Sequence, residues 1–438
     1  VDTDVIVVGA GAAGIAAALR LAEERVRVIV LDGRDRAGGR VRWESVGSVD
    51  VPAEVGAEFI HGDAPETSAF LHDAGLAKVA TGETAWTCGS DGVLRQADDD
   101  FDPGDLFERA RALDADESVE TFLGRFAGDP NLVAQTRRAR AFVEGFEAAD
   151  PSRASVRAIA DELGSGVDAT SARPVGSYAP LFASLATRCA RAGIDLRLNT
   201  TVERIAWEPG AATVAARGAD GDALTLRARC VVVTVPVGVL QQRDGAVPLA
   251  FEPPLPAEKR TALRGLAMGH AARVTLAFRT PFWETLDGGR YRDAAFFRCE
   301  EGAFAAFWTQ LPLRSRTIVA WAGGPRATAL AGYAAAALVD RARDEFGAMF
   351  GERERARAEC EGGVTHDWTT DPLACGAYSY VVTGGADARA ALGTPLGGTL
   401  FFAGEATAAD GQGGTVSGAF ASGLRAASEA AQAVRSTA

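Results

Sequence analysis

VIVVGAGAAGIAAALRLA, residues 5–22, is the stretch on which the reading of this chain turns. Val5–Val8 is a run too apolar to alternate, as expected of a strand buried on both faces. GAGAAG follows at 9–14, and an alanine-rich helical pattern runs on to about Glu24. VRVIVLD, 26–32, reads as a second strand and ends on Asp32. The spacing is that of a dinucleotide-binding strand–turn–helix–strand unit. Gly9 permits the tight turn, Gly11 lets the backbone approach a pyrophosphate, and Gly14 lets helix and strand pack closely. Ala10 and Ala13 complete the turn. The helix N-terminus offers N–H groups and a positive dipole end to phosphate. Asp32 is placed to accept from a ribose. The turn alone does not decide which dinucleotide.

The rest of the chain bounds the answer. Its 438 residues correspond to roughly two to three domain equivalents. Hydrophobic and charged fractions of 47% and 24% are those of a globular protein. A net charge of −13 argues against a nucleic-acid partner and is compatible with cationic ligands. Six cysteines form no CxxC pair, and four histidines are scattered, so no metal site is expected. The cysteines read as buried free thiols. No apolar run approaches the length of a membrane helix, and the opening residues do not resemble a leader. A cytoplasmic monomer or homodimer is the expectation. Lysine is nearly absent: Lys78 and Lys259 stand against 43 arginines.

Residues 66–190 read as mostly helical, with an acidic break at 97–105. Strand patterns follow at 194–208, at 211–228 with a turn at Asp220-Gly221, and at 230–236. Residues 246–262 are proline-rich and read as a crossing linker. Residues 272–278, 303–311 and 317–323 read as strands of a second sheet, 327–350 as a helix or helix pair, and 399–404 as a last buried strand.

LDGRDRAGGRVRW, 31–43, resembles the E-x-R-x-R-x-G-G-R segment of the flavin amine oxidase superfamily, with Asp32 in place of glutamate. Further stretches match in order. EVGAEFIHG (54–62) is similar to a polyamine oxidase segment, with Phe59 for tryptophan. TVERI (201–205), VVVTVPVGVL (231–240), DWTTDPLACGAYSYV (367–381) and FFAGEAT…GGTVSGAFASG (401–423) follow. The resemblance covers nearly the whole chain and lies closest to the polyamine oxidase and monoamine oxidase-like branch.

It implies an α/β fold. A Rossmann-like FAD-binding domain would be assembled from 1–80, 190–245 and 360–438. An α+β substrate domain, with a mixed sheet and helices, would come from 81–189 and 246–359. The cofactor would be FAD. Gly33, Gly38 and Gly39 would pass close to it, and Arg34 and Arg40 would meet phosphate charge as forked donors. Gly56, Ala57 and Glu58 would run along it, and the Val202 backbone would hold adenine. Trp368 would pack beside the flavin. Gly404 and Glu405 would reach the ribityl chain, and Gly414, Thr415 and Val416 would start a helix aimed at the flavin ring. Attachment is expected to be non-covalent, because Gly376 and Ala377 precede Tyr378 where monoamine oxidases carry a cysteine.

Tyr380 is the expected aromatic wall before the flavin, with Tyr378 as alternative. The usual second aromatic falls at Thr415, leaving the substrate cage half open. His61 is the expected amine contact, and Glu58 could meet a cationic group. The departure is Arg273: the family's G-x-x-x-K-V lysine, which holds a water at the flavin, reads GHAARV here. Reoxidation by dioxygen is thereby put in question. The implied activity is oxidation of an amine by hydride transfer to FAD, imine hydrolysis, and reduction of dioxygen to hydrogen peroxide. The rival enzyme is an L-amino acid oxidase, which would need an arginine clamp that the segment after GAE lacks. The rival of another class is a flavin-binding protein without turnover.

Overall fold

The computed structural model describes residues 1–97, 104–165 and 170–436. The expected acidic break falls largely outside them. A five-stranded parallel sheet has the spatial order Asp195–Arg197, Val28–Leu31, Val5–Val8, Cys230–Val233, Leu400–Phe402. Val5 pairs with Val28 on one side and Cys230 on the other, and Val231 pairs with Leu400. The central strands are apolar throughout because both faces are covered. Val5, Val7, Val28 and Val30 pack into a cluster with helix Ala12–Glu23, helix Ala179–Arg191 and the C-terminal helix Val416–Ser436. Ile6, Val8, Ile29 and Leu31 pack on the opposite face, against Val202, Ile205, Val214 and Leu226. Those four lie on an antiparallel meander, Thr201–Glu208, Ala211–Arg217 and Ala223–Ala228.

The two glycine-bearing helices pack directly on each other. A Cβ at Gly423 would lie 2.2 Å from the Ala13 carbonyl oxygen, so the approach requires glycine. The two ends of the chain are thus brought together on one face of the sheet. The Gly9 turn leaves the central strand where the chain crosses to either side, the position at which open parallel sheets bind ligands.

A second, seven-stranded sheet has the order Cys360–Thr365, Ala271–Phe278, Thr317–Gly323, Ala306–Trp308, Phe296–Cys299, Ala85–Cys88, Leu94–Ala97. Period-two alternation sorts its residues. Val274, Leu276, Phe278, Phe297, Phe307, Ile318 and Ala320 enter a core around Phe346 and Trp283. Arg273, Phe296, Arg298, Trp308 and Trp321 take the other face and line a cavity. The strand at 360–365 belongs to this sheet, so the domain boundary drawn at 360 divides it.

Two expectations are corrected. The region 66–190 holds strands Lys78–Ala80, Ala85–Cys88, Leu94–Ala97 and Ser171–Pro174 among its helices. Ala85–Cys88 is too short for a helical period to be read, and it is held by pairing with the distant Phe296–Cys299. The presumed linker 246–262 contains strand Ala250–Glu252 and helix Ala257–Arg264. Pro256 stands just before that helix, where a missing N–H costs nothing.

Candidate functional site

A cavity of about 780 Å³ runs from the Gly9 turn to the aromatic face of the seven-stranded sheet. At one end stands a glycine cradle. Gly9 has φ +107°, and a Cβ on it would meet Thr234 Oγ1 at 2.5 Å; a Cβ on Gly14 would lie 1.8 Å from the Gly9 carbonyl oxygen. The Gly38 N–H donates to the Ala10 carbonyl at 2.9 Å, laying the 38–39 turn beside the first. Helix Ala12–Glu23 has no side-chain cap and no acid in its first turn, so its N-terminal dipole end is uncompensated. Gly9, Gly11, Ala13, Gly33, Gly38 and Gly39 line the cavity; Ala10 and Gly14 are buried behind it.

Asp32 also lines it, fixed by the Ala10 N–H at 2.6 Å and the Arg34 N–H at 2.8 Å. Burial raises its carboxyl above the usual range despite those bonds. Arg34 is corrected: its guanidinium is held by Asp371 in a bidentate pair at 2.9 Å and is not free for phosphate. His366 reaches the same carboxylate at 2.6 Å. Burial pushes Asp371 up, but the bonds from His366 and Arg34 outweigh it and hold it well below the carboxylate range. Arg40 joins the two ends of the chain, donating to Glu405 Oε1 at 2.8 Å and to the Ala377 carbonyl at 2.9 Å. Glu405 also accepts from Ser379 Oγ at 2.6 Å and the Gly414 N–H at 3.2 Å. Arg36, the other arginine of the motif, has a role that sequence reasoning misses. It donates to the Gly39 and Val41 carbonyls, both at 2.8 Å, and so shapes the glycine turn.

Gly56, Ala57, Val202, Gly404, Gly414 and Val416 line the cavity. The ladder slips by a residue between Val202 and Arg204. Trp368 lines it too, its indole N–H on the Val55 carbonyl at 2.8 Å. Thr415 also serves the helix behind it, because its hydroxyl accepts the Gly418 N–H at 3.0 Å and so caps the C-terminal helix.

The far end is aromatic. Trp308 and Trp321 lie 5.9 Å apart, Phe59 and Trp308 5.4 Å, and His61 and Phe146 4.9 Å. His61 is bonded to Ser171 Oγ at 3.1 Å, and burial drops its pKa to about 4, so it is neutral at ordinary pH. Of the two tyrosines, Tyr378 lines the cavity and Tyr380 does not. Tyr378 packs on Gly414 and donates to the Phe146 carbonyl at 2.5 Å. Tyr380 lies opposite Ala267 in a two-stranded ladder, and both enter the helical cluster around Phe122 and Ile159.

Glu58 is corrected as a substrate contact. It is buried and bound on several sides: by Arg273, by Arg173 at 3.4 Å, by the Trp308 indole at 3.1 Å and by Gln310 at 3.3 Å. Burial pushes its carboxyl up, but Arg273 and Arg173 outweigh this and leave it below its ordinary value. Arg273 also donates to the Gly56 carbonyl at 3.2 Å. Neither of the two lysines reaches the cavity wall. Lys259 is buried on the carbonyls of Ala391, Leu392 and Thr394. The further acids of the wall include Glu147 and Glu162, neither of which carries a signal in the sequence. They sit among helices whose packing no motif marks.

A glycine cradle at the switch point of a parallel sheet, opening into an aromatic chamber, marks the class of dinucleotide-binding proteins. The chain belongs to the family described as flavin containing amine oxidoreductase, whose model matches residues 12–431. Among curated proteins it is 28% identical to polyamine oxidase 4 of Oryza sativa subsp. japonica, over 97% of this chain and 88% of that protein. It is 27% identical to lysine-specific histone demethylase 2 of Homo sapiens, over 98% of this chain and 53% of that protein. Among solved structures it matches cyclohexylamine oxidase from Brevibacterium oxydans IH-35A with TM-score 0.79 and 23% identity, covering 100% and 99% of the two chains. A putrescine oxidase double mutant matches with TM-score 0.80 and 22% identity, over 98% of each chain. These matches show the shared fold.

The protein is an FAD-dependent amine oxidoreductase. The residues present fit the cofactor. The glycine turns lining the cavity, the uncapped helix end and Asp32 suit a pyrophosphate and a ribose. No helix among the described residues is long and apolar enough to cross a membrane, and no metal-binding cluster occurs among them.

Proposed function

We propose that the protein oxidises the C–N bond of a primary or secondary amine, with a polyamine-like chain favoured. Amine, dioxygen and water would give a carbonyl compound, a shorter amine or ammonia, and hydrogen peroxide. The observation that carries this is the aromatic chamber with neutral His61, continuous with the glycine cradle. Bound FAD supplies the hydride acceptor and the route of electrons to dioxygen. The chain's own part is to orient and dry the substrate. Tyr378, Phe146 and Trp321 present aromatic faces, and His61 bonds an amine without adding charge. The resemblance to a polyamine oxidase and the structural likeness to a putrescine oxidase and a cyclohexylamine oxidase support an amine.

An L-amino acid would need a cation for its carboxylate; Arg273 is already engaged by Glu58, and Arg298 on the same wall makes amino acids the necessary rival in the test. FAD would be held without a covalent bond: Ala377 precedes Tyr378, and Cys375 is not on the cavity wall. Acid precipitation should therefore release the yellow colour into the supernatant. The deciding experiment is anaerobic reduction by a panel of amines and amino acids, followed by peroxide detection in air. If a common L-amino acid outpaces every amine by about tenfold, roughly 1.4 kcal/mol of transition-state preference, the amine reading fails. A flavin that stays oxidised throughout would favour binding without turnover.

A further inference from the structure

Alkylamines reach an enzyme as ammonium ions, and loss of hydride from the α-carbon needs the nitrogen lone pair free. Some group must take the proton, and the cavity offers few. Arg273 cannot accept one. Glu58 is bound by Arg273 and Arg173, Glu405 by Arg40 and Ser379, and Asp32 by two backbone N–H groups. His61 is too weak a base once buried. Glu147 remains. It follows Phe146, whose carbonyl anchors the Tyr378 hydroxyl, so it stands beside the aromatic wall. Among the described residues its carboxyl makes no hydrogen bond or ion pair, and the half-buried residue lines the cavity. Glu162 lines the same wall, with Oε1 3.3 Å from Arg389 Nε.

We propose that Glu147, backed by Glu162, takes the proton from the incoming alkylammonium so that the amine meets the aromatic wall neutral. This rests on the amine reading of the same site. The N–H bond breaks with its electron pair left on nitrogen, an O–H bond forms on Glu147, and the proton later passes to water. The surroundings favour such an acceptor. Burial, and then the Glu162 charge, push Glu147 up to about 8, with Arg389 opposing. Burial raises Glu162 as well. An alkylammonium of pKa about 10.4 is then separated from its acceptor by roughly 2 units, rather than the roughly 6 of an ordinary carboxylate. The groups facing Glu147 are Glu162, Arg389 and Tyr378; Glu405 and Asp161 lie behind them, and His61 lies across Phe146.

The test is anaerobic stopped-flow reduction of the FAD-loaded enzyme across a pH series. Two amines are compared: a simple alkylamine, and a fluorinated analogue whose ammonium ionises near neutrality. Wild-type reduction by the alkylamine must be seen first; its absence would strike the amine reading and not this one. Glu147→Gln should slow reduction by the alkylamine about a hundredfold at neutral pH. The rate should recover as pH nears the amine's own pKa, and the fluorinated amine should be little affected. Glu147→Asp should restore part of the rate. Glu162→Gln should move the acid limb to lower pH, because a neighbouring negative charge is gone. Equal losses for both amines at every pH, or an unchanged pH profile in Glu147→Gln, would overturn the proposal.

Discussion

Replacing Glu58 by Gln should destabilise the protein through charge alone. The variant keeps the shape and one carbonyl oxygen, but leaves Arg273 and Arg173 buried without their common counter-ion. Both arginines and Glu58 have side chains only 4% exposed, so water cannot substitute. Breaking a buried ion pair from one side costs about 3–5 kcal/mol. For 438 residues, an unfolding entropy near 2.1 cal/mol/K per residue turns about 4 kcal/mol into a fall of about 4 °C in Tm. Thermal melts of holo-protein provide the assay, with Arg273→Gln and the double variant completing a cycle. The double variant should be less destabilised than the sum of the singles by about 2 kcal/mol. The pH dependence has a definite sign. The folded pKa of Glu58 lies below its unfolded value, so its contribution is present above pH ~4.5 and is lost as pH falls through the folded pKa. The gap between wild type and Glu58→Gln should therefore close on acidification. A variant melting within about one degree of wild type near neutral pH would refute the reasoning.

Gly14→Ala would set a methyl 1.8 Å from the Gly9 carbonyl oxygen, so the purified variant should lack flavin absorbance and melt earlier. Tyr378→Phe removes the bond to the Phe146 carbonyl, worth about 1 kcal/mol. It should slow anaerobic reduction, whereas Tyr380→Phe, in the helical core, should leave the rate near wild type. His61 titrates at about 4 when folded against roughly 6.5 unfolded, so the unfolded chain binds more protons between those values. Stability should fall as pH drops through that window, and His61→Gln should flatten the fall in pH-dependent melts.

The opening strand–turn–helix determined much of this protein on its own. Gly9, through its φ of +107°, and Gly14, through its clearance from the Gly9 carbonyl, are dictated by local chain geometry, and the apolar runs at 5–8, 28–31 and 230–233 suit strands buried on both faces. The ordered motifs are enough to identify the family and bring Glu405 and the closing turn to the same cofactor. What each polar side chain does there cannot be read in the same way. The motif sets Arg34 on phosphate, but Asp371, 337 positions away, holds it. The segment around Glu58 points it at substrate, and two arginines on other strands enclose it. Tyr378 and Tyr380 are two residues apart in a chain whose direction is set by pairing with Leu266–Met268, so only the fold could choose between them. Glu147 and Glu162 belong to no motif; only the tertiary packing of the segment after helix Val133–Gly145 and of helix Val156–Leu163 puts both on the cavity wall. Local sequence settles conformations whose cost is local, whereas the partner of a charge depends on which distant segment the tertiary fold brings within reach.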